Sequence, residues 1–188
     1  MNGAVMKHLI LLRHASAENG ELDRARALSA SGRSEAARMG AVLGQLAGRG
    51  FRPELLLSSP ARRALETLGA LRGALGAARP VEEDEALYLA SAGRVLAKLQ
   101  ALPDAEEQVL VVGHNPGLGE LVQLLVERGA AEVLLRAARG LAPGALAALR
   151  ITTPRWGDLG PGCAELVEFL RPADVEPGGA RVRGEPGP

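Results

Sequence analysis

The sequence has a single cysteine, Cys163, and aromatic residues make up only 2% of its 188 positions. One cysteine excludes an internal disulfide and argues against a cysteine-built metal cluster. Position 169 is Phe, so Cys163 lacks the Cys-x5-Arg spacing of a thiol phosphatase loop. In the strand-like run Cys-Ala-Glu-Leu-Val-Glu-Phe its expected role is a small buried thiol. Net charge is missing as well: 22 basic residues balance 22 acidic ones, and nothing global points to nucleic acid or a membrane surface. No apolar run approaches a membrane span, and the opening Met-Asn-Gly-Ala-Val-Met-Lys is too short and wrongly flanked for a signal peptide. The expectation is a soluble, cytoplasmic protein with no nucleic-acid or membrane partner and an oligomeric state left open. Any anion it recognises must be met by a few cations focused in one place.

What is present is ordered patterning. His8-Leu-Ile-Leu-Leu12 and Gln108-Val-Leu-Val-Val112 are continuous apolar runs, the mark of strands covered on both faces. Pro53 to Leu57 predicts a further strand, with a weaker one near Val81. Ala36, Met39, Leu43 and Leu46 recur at helical spacing after Ser29 or Ser31 as N-cap. Helices are also expected from Ser59-Pro60, over Gly93 to Leu102, and through Leu118, Leu121, Val122 and Leu125. Gly144 to Ile151 and Cys163 to Leu170 read as two late strands. Alternating strands and helices with short links predict a three-layer α/β/α sandwich on a mostly parallel sheet. One domain over 1–171 is expected, then a flexible tail, 172–188, rich in Pro, Gly and charge.

Of three histidines, two sit just past the C-terminal end of a predicted parallel strand, the edge where ligands bind in such sheets. Arg13-His14 ends the first strand and Gly113-His114 the central one, while Ser59-Pro60-Ala61-Arg62-Arg63 follows the second. A lone histidine is more often structural, and a helix-start arginine is usually solvated. Agreement of three strand ends on one rim shifts the odds. Phosphoryl transfer needs positioning and dispersed positive charge. Arginine pairs bidentately with phosphate oxygens, and a neutral imidazole can attack phosphorus. Neighbouring arginines disfavour imidazolium and so help keep that nucleophile neutral.

Leu11-Leu-Arg-His-Ala15, Ser59-Pro-Ala-Arg-Arg-Ala-Leu-Glu-Thr67 and Val111-Val-Gly-His114 together resemble the signature segments of the histidine phosphatase, or phosphoglycerate mutase-like, superfamily. Asp23-Arg-Ala-Arg-Ala-Leu-Ser-Ala-Ser-Gly32, the short length, and the segments around Trp156 and Glu168 to Pro172 are similar to its SixA-type phosphohistidine phosphatase branch. The resemblance implies the phosphoglycerate mutase-like fold and a metal-independent, cofactor-free phosphatase. It makes His14 the phospho-acceptor, with Arg13, Arg63 and His114 binding the phosphoryl group. Arg63, not Arg62, matches the pattern Ser-Pro-x-x-Arg-Ala-x-x-Thr. Arg26 and Ser59 are implied as substrate-binding residues at the rim, Ser59 with a helix-cap role as well. His8 has no matching role.

One departure bears on substrate. Many relatives carry Leu-x-Glu-x-x-x-Gly, whose glutamate protonates the leaving oxygen, whereas Leu87 to Gly93 has Leu89 at that position. General acid help commonly contributes about 10²–10⁴-fold where an alkoxide leaves, and an already protonated phosphoimidazole needs none. The expected substrate is therefore a phosphohistidine-bearing protein, such as a histidine-phosphotransfer domain, or a similar labile donor. Glu83, Asp84 and Glu85 are candidate substitute acids, which keeps a small-metabolite phosphomonoesterase open. A non-catalytic phosphate-binding module would not need the nucleophile. A dinucleotide site at Gly117-Leu-Gly119 lacks the third glycine and the downstream acid.

Overall fold

The computed structural model describes residues 6–20, 22–75, 79–178 and 180. Chain order is β1 (His8–Arg13), α1 (Ala30–Ala47), β2 (Leu55–Ser58), α2 (Arg62–Leu75), β3 (Val81–Glu83), α3 (Ala92–Gln100) and β4 (Gln108–Gly113). Then follow α4 (Gly117–Leu125), β5 (Val126–Gly129), α5 (Ala131–Ala137), β6 (Leu146–Ile151) and β7 (Ala164–Leu170). The strands form one sheet in the order β3-β2-β4-β1-β6-β7-β5. β1, β4, β2 and β3 pair in parallel, β6 runs antiparallel to both its neighbours, and β5 pairs in parallel with β7. The mixed α/β architecture is the one the strand-helix alternation predicts, and it fits the phosphoglycerate mutase-like fold that the resemblance implies.

The alternation inside β1 explains its unbroken apolar run. Leu9 and Leu11 face a core built with α3, α4 and α5, through Val95, Leu99, Leu121, Leu125 and Val133. Ile10 and Leu12 face the opposite core, where Met39, Leu43 and Leu46 of α1 meet Leu68 and Leu71 of α2. Helices therefore cover both faces, which is why no polar position alternates in β1 or β4. Trp156 is fully buried in the first core and donates its Nε1–H to the Glu106 carbonyl at 2.6 Å. Ser29 caps α1, its hydroxyl accepting the Gly32 N–H at 3.0 Å.

Three expectations need correction. No element is expected over 126–137, yet β5 and α5 lie there; β5 reads Val-Glu-Arg-Gly at the sheet edge, too short and charged to give an apolar run. The helix α2 begins at Arg62 rather than at Ser59-Pro60, which instead form the turn leading into it. The tail is packed beyond Pro172: Pro172 and Val175 are buried, and Arg38 donates to both their carbonyls at 3.1 and 3.4 Å. Residues 181–188 of that expected flexible tail lie outside the described residues.

The segment after β1 is anchored by a close approach that only glycine permits. A Cβ on Gly32 would stand 1.9 Å from the Ser16 carbonyl oxygen, whereas one on Gly44, in the same helix, meets nothing within 4 Å. Ser16 is further tied to α1 by Glu35, which accepts from its backbone N–H at 2.8 Å and its hydroxyl at 2.9 Å. Gly32→Ala is expected to cost ~1–3 kcal/mol through overpacking. Gly44→Ala should instead gain ~0.5–1 kcal/mol. Urea unfolding of the pair checks this, and equal effects would refute the packing account.

Candidate active site

Sheet register brings the polar residues together. Arg13 pairs with Gly113, and the His14 N–H donates to the Gly113 carbonyl at 3.0 Å, so His14 and His114 leave adjacent strands at one level. Ser58 pairs with Val112, and the Ser59 N–H donates to the Val112 carbonyl at 3.0 Å, adding a third strand end to the same rim. The His14 and His114 rings meet edge-on with centroids 5.0 Å apart. Thr67 of α2 locks the first strand end in place. Its hydroxyl accepts the Ala15 N–H at 3.0 Å and donates to the Arg63 carbonyl at 2.7 Å.

Hydrogen bonding determines the state of His14. Its Nδ1 lies 2.8 Å from the Ala15 carbonyl oxygen, which can only accept. Nδ1 therefore carries the proton and Nε2 presents a lone pair. Arg63 Nε donates to that lone pair at 3.1 Å. Burial pushes the His14 pKa down to about 4; the Ala15 carbonyl opposes the shift, and Arg63, Arg13 and Arg26 add to it. The arginines expected to keep this imidazole neutral thus contribute less than its burial does. His114 is only 3% exposed, and its pKa falls to about 3, again chiefly through burial, then through His14 and Arg63.

Arg63 is the hub, with 2% of its surface exposed. Nη1 donates to the Asp23 carbonyl at 2.6 Å and Nη2 to Asp23 Oδ2 at 2.9 Å, with Nη2 also 3.3 Å from His114 Nδ1. Tyr88 donates its hydroxyl to the same Asp23 Oδ2 at 2.7 Å and stands edge-on to the His114 ring. The Tyr88 hydrogen bond, supported by Arg63 and Arg26, lowers the Asp23 pKa to about 2 against a contrary push from burial. Arg13 donates Nη1 to the Leu141 carbonyl at 3.0 Å, while its buried Nε has no partner among the described residues.

Arg13, His14, Arg63 and His114 thus occupy one cluster, while Arg62 lies outside it, exposed and paired with Glu66 at 2.7 Å. Arg26 stands at the rim, held by the Glu18 carbonyl at 2.7 Å and Asp23 Oδ1 at 3.0 Å. The Ser59 hydroxyl is turned to His114 Nε2 at 2.7 Å. His8 is at the far end of β1, stacked on Phe51. Of the candidate acids, Asp84 is engaged by Lys98 at 2.8 Å and the Ala86 N–H at 2.7 Å, and Glu85 by Arg24. Glu83 is exposed on β3. Leu89 is 56% exposed with φ of 46°, offering no proton. Asp23 and Tyr88 are site residues that sequence reasoning missed; Asp23 heads the Asp-x-x-Arg segment, and Tyr88 is the sole tyrosine. Among the described residues no group of three or more His, Cys, Asp or Glu is placed to hold a metal, and no helix is long and apolar enough to cross a membrane.

Comparison with known proteins shows the family and fold that the chain resembles. Residues 9–95 match the sequence pattern of the histidine phosphatase superfamily, branch 1. A Mycobacterium tuberculosis protein of uncharacterised function is 32% identical over 170 residues, 86% of this chain and 99% of its own. A Nakamurella multipartitia structure, provisionally named phosphohistidine phosphatase SixA, shares 29% identity at a TM-score of 0.72, over 89% of this chain and 96% of its own. The structure of the protein histidine phosphatase SixA complexed with tungstate shares 26% identity at a TM-score of 0.68, over 88% of this chain and 97% of its own.

The lowered histidine pKa values fix a pH dependence of stability. Between the ordinary value of 6.5 and about 4, the unfolded chain takes up protons that folded His14 refuses, and His114 behaves alike down to about 3. Stability from this source is full above pH 6.5 and falls on acidification by ~1.4 kcal/mol per pH unit for each histidine. Urea unfolding at about pH 7 and about pH 5 should show His114→Gln losing one histidine's share of that slope. An unaltered slope would contradict the buried neutral state.

Proposed function

The chain belongs to the histidine phosphatase superfamily, and we propose that this phosphatase works through a covalent phosphohistidine on His14, with protein phosphohistidine as its substrate class. The observation that carries the reading is the Ala15 carbonyl on His14 Nδ1, which leaves the Nε2 lone pair aimed into the Arg63–His114 cluster. The substrate phosphoryl group lies among Arg13, Arg63 and His114, whose donors match its spread negative charge. It draws the Arg63 Nε–H away from His14 and frees the nucleophile.

The steps balance without an added acid. His14 Nε2 forms a bond to phosphorus as the bond from phosphorus to the substrate imidazole breaks. The electron pair returns to that nitrogen, and a ring protonated on its other nitrogen departs as neutral imidazole. The phosphorylated His14 ring then carries the positive charge, with its Nδ1–H still held by the Ala15 carbonyl. Water attacks phosphorus, the bond to Nε2 breaks, and both water protons leave with orthophosphate. An alkoxide leaving group would need a proton, and Asp23, the carboxylate held on Arg63, is ionised at neutral pH because its pKa lies near 2. Arg26 contributes positive charge at the rim, and no metal or cofactor takes part in these steps. The SixA neighbour's name, with its bound tungstate, a tetrahedral oxyanion, supports both the phosphate site and the substrate class.

The test compares wild type with His14→Ala in chelator-treated buffer, on a phosphohistidine peptide and on a simple phosphomonoester. Wild type should hydrolyse the peptide and trap acid-labile phosphate on the chain. His14→Ala should trap none and lose roughly a thousandfold or more in turnover. Equal turnover by the two proteins would remove His14 as nucleophile, and efficient monoester hydrolysis without peptide hydrolysis would overturn the substrate class.

A further inference from the structure

The Ser59 hydroxyl is expected at the phosphate, and the structure places it behind the site instead. Ser59 is fully buried, and its Oγ lies 2.7 Å from His114 Nε2, the ring nitrogen on the side away from Arg63. The same oxygen accepts the Ala61 N–H at 3.3 Å. These are its only hydrogen-bond partners among the described residues. His114 Nδ1, on the other side of the ring, is 3.3 Å from Arg63 Nη2.

A neutral His114 has one ring proton to place. With the proton on Nε2, the ring would donate to Ser59 Oγ. The hydroxyl hydrogen of this fully buried serine would then have no acceptor among the described residues, an arrangement that costs the full desolvation of a buried donor. On Nδ1 the proton leaves the serine end complete: Oγ accepts from Ala61 and donates to Nε2. Nδ1–H then faces the same space as the Arg63 Nη2–H. Two converging donors with no acceptor between them repel each other in the resting protein, and a phosphoryl oxygen seated there satisfies both.

We propose that Ser59 is a positioning residue, which holds His114 as its Nδ1–H tautomer so that the ring donates to a phosphoryl oxygen beside Arg63. The tautomer rests on the buried Ser59 hydroxyl, which has only Nε2 to donate to and outweighs the long 3.3 Å Arg63 contact that favours the other ring form, while its use on a phosphoryl group rests on the phosphatase reading above. Without the hydroxyl, the Arg63 Nη2–H is the only directed contact left to the ring. It favours a bare Nδ1, which moves the proton to Nε2 and turns a donor away from the substrate.

Ring-nitrogen NMR on protein labelled with ¹⁵N-histidine tests this directly, with tungstate as the oxyanion probe. In wild type His114 should show a protonated Nδ1 and a bare Nε2. Ser59→Ala should move the proton to Nε2 and weaken tungstate binding about tenfold, one directed hydrogen bond's worth. Ser59→Thr, which keeps a hydroxyl, should restore both. A wild-type His114 protonated on Nε2 would overturn the proposal whatever the variants do, and so would Ser59→Ala binding tungstate as tightly as wild type. Failure of the phosphatase reading looks different: wild type would neither bind tungstate nor hydrolyse phosphohistidine, while the wild-type ring signals still decide which tautomer Ser59 holds.

Discussion

A buried arginine, Arg63, with 2% of its surface exposed, is the constraint around which the site is organised. Charge taken out of water must be met by acceptors, and Arg63 finds them in the Asp23 carbonyl and carboxylate and in the bare nitrogen of His14. Asp23 is drawn over the site by this demand and is completed by Tyr88 and Arg26. The segment between β1 and α1 and the turn before α3 are therefore coupled to the cation proposed to bind the phosphoryl group. A phosphate oxygen can replace the Arg63 contact to His14 without leaving the guanidinium bare. In the resting arrangement, the contact that satisfies the arginine also occupies the lone pair proposed as the nucleophile.

That arrangement depends on backbone register more than on the side chains themselves. Three parallel strands, β2, β4 and β1, end at one level, and the pairing of Arg13 with Gly113 puts the two catalytic-type imidazoles side by side. A slip of one residue would point His14 to the other face of the sheet. The apolar faces of β1, Leu9 and Leu11 on one side and Ile10 and Leu12 on the other, make such a slip costly. Close approaches then set the loops. A Cβ on Gly117 would stand 1.9 Å from the Ala90 carbonyl, so the start of α4, just after His114, packs against the segment that carries Tyr88. Core packing and site geometry are in this sense one property of the sheet.

Much of this was legible in the sequence because buried parallel strands and strand-end polar residues leave strong local patterns. The runs at Leu9–Leu12 and Val109–Val112 declare themselves, Arg13, His14 and His114 stand out as polar residues where those runs stop, and the Ser-Pro-x-x-Arg pattern of the resemblance picks Arg63 over Arg62. β5 and α5 left no such trace, since an edge strand of four residues needs no apolar run. Asp23 was hidden for a different reason. Its importance comes from the fold back onto Arg63, 40 positions away, and nothing in the spacing Asp-x-x-Arg announces a partner that distant. The direction of the Ser59 hydroxyl was hidden likewise, because a serine before a helix reads as a cap until the histidine behind it is seen. Burial, which dominates the pKa values of both histidines, is a property of the assembled layers and has no local signature.

The electrostatics of the assembled site also bear on what it can turn over. Arg63 and Arg13 bring positive charge to the site, and the carboxylate paired with Arg63, Asp23, is held ionised by the contacts that fix its position. A carboxylate cannot serve as both the permanent counter-ion of a buried arginine and the proton donor to a leaving group, because the first role removes the proton that the second requires. Tyr88 is no substitute, since its bond to Asp23 raises its pKa. With Leu89 exposed at the position where the resemblance leads one to expect an acid, the site is rich in groups able to hold a phosphoryl group and poor in groups able to protonate what it leaves behind. Chemistry in which the leaving nitrogen needs no incoming proton is the chemistry this balance suits.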